Sequence, residues 1–124
     1  MVQVKYPEMR RELEMVVEGL ADPAYQRRVW VDGQPEDGVE HDEFGLAVHF
    51  LFDDSSLAQD ALSTIGWILK DASEAESVTA LVRAIDVVLN RYGTNLSDAE
   101  YIEVPEWRFV VVAAKATMAV LAGR

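Results

Sequence analysis

Residues 74–92, EAESVTALVRAIDVVLNRY, decide the fold class of this chain. Their apolar side chains recur every three or four positions, which is the repeat of an amphipathic helix. Ser73 and Glu76 have the spacing of a capping box, and Gly93 stands where a glycine ends a helix. The sequence therefore predicts a long helix over 74–92, with an inward face made of Val78, Leu81, Val82, Ile85, Val88, Leu89 and Tyr92.

The same reasoning predicts helices at both ends of the chain. The last covers residues 106 to about 122, is rich in alanine and has Pro105 in its first turn. The first covers residues 7–20, and Asp22 then caps a short second helix that has Pro23 at its first position. The inward residues of the first helix are predicted to be Met9, Leu13, Val16, Val17 and Leu20.

Residues 44–52 are almost wholly apolar, so periodicity alone does not separate a buried helix from a buried strand. We favour a helix with Asp42 as its N-cap and residues 53–55 as its end. A short strand pair with residues 28–32 is the alternative. Asp98 is predicted to cap a helical turn that runs to Ile102.

These elements make the chain a mainly α protein. We expect one domain spanning 1–124, an irregular bundle of five or six helices with one long acidic loop. The 124 residues include no cysteine, so packing has to stabilise the fold without disulfides. The longest apolar run is residues 109–114, far short of the about 20 residues that a membrane span needs. We therefore expect a cytoplasmic protein.

The charge is negative and unevenly distributed. The chain has 22 acidic and 11 basic residues, a net charge of −11, and residues 1–62 hold 14 of the acids and 5 of the bases. A charge of this sign disfavours nucleic-acid phosphate and anionic membranes as partners. Six acids lie in one segment without Lys or Arg, and its glycines and proline predict a loop: Asp32, Glu36, Asp37, Glu40, Asp42 and Glu43.

No motif for catalysis or for cofactor binding is found in the sequence. There is no cysteine nucleophile, no Gly-x-Ser-x-Gly turn and no glycine-rich phosphate loop. We therefore predict no catalytic, cofactor-binding or metal-binding residues. The alternative is a small metal-dependent or acid–base enzyme using His49, Asp53 and Asp54, with His41 or Asp42 as further ligands, because His and carboxylates four apart share a helix face.

Five segments stand out along the chain: 26–30 (QRRVW), 49–54 (HFLFDD), 65–66 with Leu69, Glu76 and Leu81, 105–107 (PEW), and 110–111 with the alanines that follow. Together they resemble a family of small acidic actinobacterial proteins without assigned function, over roughly residues 9–121. The stretch from Asp53 and Asp54 through Ile65 and Gly66 to Glu76 also resembles small immunity proteins of bacterial toxin systems.

The sequence thus favours a non-enzymatic protein-interaction module, of the immunity or antidote kind, which binds a basic protein through an acidic surface. The basic and aromatic residues Arg27, Arg28 and Trp30 are added to this surface, because Trp and Arg are enriched at interfaces. The alternative is that they belong to an ordinary amphipathic element whose arginines pair with the acidic loop. A homodimer through the apolar faces of the last two helices is a further alternative. No cofactor is expected.

Overall fold

The computed structural model describes residues 4–34 and 42–123, and within these ranges the chain is α-helical as predicted. Stretches of π-helix extend the second and third helices, over Gln26–Val31 and Phe50–Asp54, and a 3₁₀ turn covers Ala61–Thr64. The six α-helices are α1 Pro7–Ala21, α2 Pro23–Tyr25, α3 Phe44–His49, α4 Ala72–Tyr92, α5 Asp98–Tyr101 and α6 Trp107–Leu121.

The predicted alternative of a strand pair between residues 28–32 and 44–52 is wrong. Both segments are helical, and in the described ranges the only β pairing is an isolated bridge between Ile65 and Leu69. None of the described helices is long and apolar enough to cross a membrane.

One hydrophobic core joins the helices. Helix α6 packs against both α1 and α4, and the three helices supply most of the buried apolar side chains. The predicted inward faces are confirmed, since Leu13, Val17 and Leu20 of α1 are fully buried, as are Val78, Leu81, Ile85 and Val88 of α4. Each such side chain contributes roughly 1.5–3 kcal/mol relative to its exposed state, so this core is the main source of stability.

The N-terminus of α4 differs from the prediction. Helix α4 begins at Ala72, and its N-cap is Asp71, whose carboxylate accepts the Glu74 N–H at 3.0 Å. The capping box expected from Ser73 and Glu76 is therefore wrong, because both residues lie inside the first turns. At the other end the prediction is confirmed: Gly93 has φ +80° and its N–H donates to the Leu89 carbonyl.

Three smaller boundary predictions are also corrected. Helix α6 begins after Glu106, so Pro105 precedes the cap instead of lying in the first turn. The N-cap of α5 is Ser97, one residue before the predicted Asp98, and Ser97 forms a complete capping box with Glu100. Asp42 does not cap α3, because Glu43 occupies that position.

A buried ion pair joins three helices at one end of the core. The Arg10 guanidinium donates to both carboxylate oxygens of Glu74, at 2.9 and 2.8 Å, and both residues are buried. Arg10 also donates to the Ile68 and Leu121 carbonyls, and the Lys70 N–H donates to Glu74. The hydrogen bond to the Glu74 carboxylate raises the pKa of Arg10 above its ordinary value. This network fixes α1 against α4 and the end of α6.

Candidate functional site

A groove of about 590 Å³ lies between the second, third and fifth helices. One wall is the end of the first π-helical stretch, and the opposite wall is the exposed face of α3. The end of α4 and the segment that leads into α5 close the remaining side. We call this surface the acidic groove; its lining residues are Trp30, Val31, Glu43, Phe44, Gly45, Val48, His49, Asp53, Leu89, Thr94, Leu96, Ser97, Asp98, Ala99 and Tyr101.

The floor of the acidic groove is aromatic. The Phe44 ring lies 5.0 Å from the Tyr101 ring and 5.0 Å from the Trp107 ring, both edge to face. Trp30 lies 6.1 Å from Phe44 and 6.0 Å from Trp107. Edge-to-face pairs of this kind add to the stabilisation from burial alone. The floor is therefore a packed part of the core, which gives the groove a fixed shape.

Among the described residues, the rim of the acidic groove carries acids but neither lysine nor arginine. Glu43, Asp53 and Asp98 supply three carboxylates, and His49 lies beside them on the rim. The Asp98 carboxylate also accepts the Phe44 N–H at 3.1 Å, so it satisfies the first turn of α3 from a distant part of the chain. An apolar floor with a rim of carboxylates suits a ligand that is apolar and positively charged.

Both π-helical stretches border the acidic groove. The first contributes Trp30 and Val31, and the second contributes Asp53. π-Helical turns are rare and frequently occur at functional sites, so two of them beside one groove favour that groove as the functional site. A single carboxylate oxygen of Asp42 holds the first stretch in place, because it accepts the Trp30 indole N–H at 2.9 Å and the Tyr25 hydroxyl at 2.7 Å.

His49 lies between two carboxylates at the edge of the acidic groove. Its Nδ1 is 2.7 Å from Asp53 and its Nε2 is 3.5 Å from Asp54, and all three side chains are more than half exposed. Asp53 and Asp54 also line a second cavity, of about 380 Å³, beside Tyr6 and Trp67. In the described part of the chain no three His, Asp or Glu side chains form a group suited to hold a metal ion.

The comparison with protein families found a match over almost the whole chain. A family model described as a domain of unknown function, DUF7945, matches residues 4–124. The chain belongs to this family. Neither the curated proteins nor the solved structures include a match. Membership of DUF7945 confirms the predicted resemblance to a family without assigned function.

In this DUF7945 member the predicted binding residues fall into separate groups. Trp30 and Glu43 line the acidic groove. Arg27 instead forms an exposed ion pair with Glu103 at 2.6 Å. Arg28 and Asp32 are exposed beyond the groove wall. Of the remaining predicted residues, Asp42 anchors the π-helical stretch, whereas Glu36, Asp37, Glu40 and the alternative ligand His41 lie outside the described residues.

Trp30 is mostly buried and Trp67 is the exposed tryptophan, at 8% and 45% accessibility. The sequence predicts Trp30 as part of a binding surface, but in the structure its indole packs on Phe44 and Trp107. The sequence did not predict that Asp98 and Tyr101 line the acidic groove. The signal for these two was weak, because only the contact between α3 and α5 brings them beside Phe44.

Proposed function

We propose that this protein is a non-enzymatic interaction module, of the immunity or antidote kind, that binds a basic partner protein in the acidic groove. The observation that carries the proposal is the composition of that groove. Its floor is aromatic and its rim holds Glu43, Asp53 and Asp98, with no lysine or arginine among its lining residues. We also propose that this binding occurs in the cytoplasm, because a chain without cysteine forms no disulfide and so needs no oxidising compartment.

The floor and the rim of the acidic groove would make different contributions to binding. Apolar side chains of the partner would cover Val31, Val48 and Leu96, which are half-buried, whereas its lysines and arginines would face the rim carboxylates. Burial of apolar area supplies affinity, and opposite charge speeds association and selects the partner. Masking a basic active site in this way is how an acidic antidote acts on its toxin.

The acidic loop supports the same proposal. The loop runs from Asp32 to Glu43, and both Glu43 and Val31, the residue before Asp32, line the groove. Three further carboxylates, of Glu36, Asp37 and Glu40, lie between those ends in the sequence. The net charge of −11 adds a long-range attraction that salt screens within about 10 Å at 0.1 M.

The test is affinity capture with the immobilised protein from a native lysate, at about 50 mM and about 500 mM salt, where screening lengths differ about threefold. We expect a basic protein to be retained at low salt and released at high salt. The double variant Glu43→Gln with Asp98→Asn removes two rim charges, and the Asn amide oxygen still accepts the Phe44 N–H. Retention should fall at least about tenfold, equivalent to about 1.4 kcal/mol.

A matched control removes the same charge elsewhere. Glu12→Gln with Glu18→Gln neutralises two exposed carboxylates on α1 and should leave retention within about twofold, because the acids lie outside the groove. A third variant neutralises Glu36, Asp37 and Glu40, and its loss of retention measures how much the acidic loop contributes to binding. If the α1 variant releases the partner as fully as the groove variant, net charge and not the groove binds it, and the proposal fails.

One observation favours a second candidate, an acid–base enzyme. His49 is exposed between Asp53 and Asp54 at the edge of two cavities, and such a His–carboxylate arrangement suits proton transfer. The test is turnover of simple ester, phosphoester and glycoside substrates, compared between the native protein and His49→Gln. Turnover that His49→Gln leaves unchanged, or the lack of any turnover, would remove this candidate.

A further inference from the structure

A second surface, unrelated to the acidic groove, lies on the outer side of α6. This helix is apolar apart from Arg108, Lys115 and Thr117: one face is buried against α1 and α4, while Phe109 and Val112 on the opposite face are 53% and 64% exposed. Ala116 and Ala119 are also exposed. Residues 109, 112, 116 and 119 follow each other at intervals of three, four and three, which is the spacing of a coiled-coil seam.

Helix α4 widens this surface. Two contacts fix one edge of α4 along α6, since Thr117 donates to the Ser77 carbonyl at 3.1 Å and Arg91 pairs with Glu106 at 3.0 Å. The residues between Ser77 and Arg91 on that edge, three or four positions apart, are Ala80, Ala84 and Val87. Val87 is 52% exposed. The edge of α4 thus lies beside the seam of α6, and the two together form one wider apolar surface.

We infer that this α4–α6 face binds a second copy of the chain, with the two α6 helices antiparallel about a two-fold axis. The large seam residues of α6 are at one end and the alanines at the other. Antiparallel pairing therefore sets Phe109 opposite Ala119 and Val112 opposite Ala116 of the second copy. Such self-complementarity is what a two-fold interface requires, whereas parallel pairing would set Phe109 against itself and leave a gap between the alanines.

The charges on the molecule point to the same occupant. Helix α6 contains no Asp or Glu, and between Ser77 and Arg91 the α4 edge has no charged residue. Two copies that each carry −11 therefore meet here without placing carboxylates against each other. Lys115 lies beside the seam near the axis, where it would face its equivalent in the second copy. Salt should consequently strengthen this association, in contrast to binding of a basic partner, which salt weakens.

The size of the face sets the expected affinity. Helix α6 has 15 residues and so is about 22 Å long, and two packed helices are about 18 Å wide. That footprint of about 400 Å² per copy, or about 800 Å² in total, is below the about 1,200 Å² of stable interfaces, so we expect a weak dimer with a dissociation constant of about 10 to several hundred µM.

The experiment is sedimentation equilibrium of the full chain from about 10 µM to 1 mM, at low and high salt, a range chosen to span that affinity. Val112→Glu should weaken dimerisation at least about tenfold, because it buries a charge in the seam. The matched control is Leu62→Glu, since Leu62 has nearly the same exposure, 63%, and lies in the 3₁₀ turn. It should change the dissociation constant less than about twofold.

Engineered thiols test the antiparallel arrangement, since the chain has no cysteine of its own. Phe109→Cys and Ala119→Cys should form a disulfide when the two variants are mixed. Each variant alone should not, because residues ten apart on a helix are about 15 Å apart and a disulfide needs Cα atoms within about 7 Å. A monomer at every concentration, a dimer that Val112→Glu does not weaken, or preferential linkage of Ala119→Cys to itself would overturn the inference.

Discussion

Breaking the buried Arg10–Glu74 pair should cost far more stability than its distances alone suggest. Glu74→Ala leaves the Arg10 guanidinium buried with only the carbonyls of Ile68 and Leu121 as partners. Removing one partner of a buried ion pair typically costs about 3–5 kcal/mol, because the remaining charge has lost its compensation. A protein of this size has about 5–15 kcal/mol in total, so this single change removes a large share.

An exposed ion pair provides the control. Arg27 and Glu103 are 2.6 Å apart, closer than Arg10 and Glu74, but both side chains are more than half exposed. Water solvates either partner when the other is removed, so Arg27→Ala should cost less than about 1 kcal/mol. Comparison of the two variants therefore separates the effect of burial from the effect of distance.

The assay is urea unfolding followed by circular dichroism, with thermal unfolding as a check. We expect Glu74→Ala to lower the melting temperature by about 10–20 °C, taking about 3–5 °C per kcal/mol for a chain of this length. The double variant Arg10→Met with Glu74→Leu should recover part of the loss, since apolar replacement removes the orphaned charge. A loss from Glu74→Ala no larger than that from Arg27→Ala would refute the reasoning.

Three further predictions concern single residues. Gln26→Leu should cost about 1–3 kcal/mol in urea unfolding, because the buried Gln26 oxygen accepts the Trp107 indole N–H at 2.9 Å; no measurable loss would contradict this. Gly93→Ala should cost about 1–2 kcal/mol by the same assay, because φ is +80° there and nothing else crowds the added methyl group. The hydrogen bond from Tyr92 holds the pKa of Glu106 below its ordinary value. The resulting stabilisation is present above the unfolded pKa of about 4.3 and is lost as the pH falls through the folded pKa. Tyr92→Phe should therefore make stability less sensitive to acid below about pH 5, and an unchanged pH profile would contradict the assignment.

The helices could be predicted from the sequence because local patterns encode them. The repeat in residues 74–92 and the cap at Asp22 act over a few residues, and both predictions are confirmed. The errors were at helix starts, where several polar residues compete for one position. Asp71 and Ser73 both suit an N-cap, and the extended backbone at Asp71 decides in its favour.

The acidic groove could be predicted only in part, because distant segments build it. The sequence drew attention to Trp30, Glu43 and His49, but not to Asp98, which reaches Phe44 across 54 positions of the chain. The exposed Trp67 was missed for a related reason. Composition does not reveal which of three tryptophans packs inward, and the partners of Trp30 come from α3 and α6.

Hydrogen bonds near both ends of the acidic loop hold it to the helices, so the loop sequence can change without disturbing the rest of the fold. On one side the Gln34 N–H donates to the Arg28 carbonyl, and on the other Asp42 accepts from Trp30, so both ends are tied to the same π-helical stretch. Because closing a longer loop costs only about 0.6 kcal/mol per doubling of length, new sequences inserted between these ties should leave the helices intact. Under the proposed function, sequence changes in this loop would alter the choice of partner while the core stays the same.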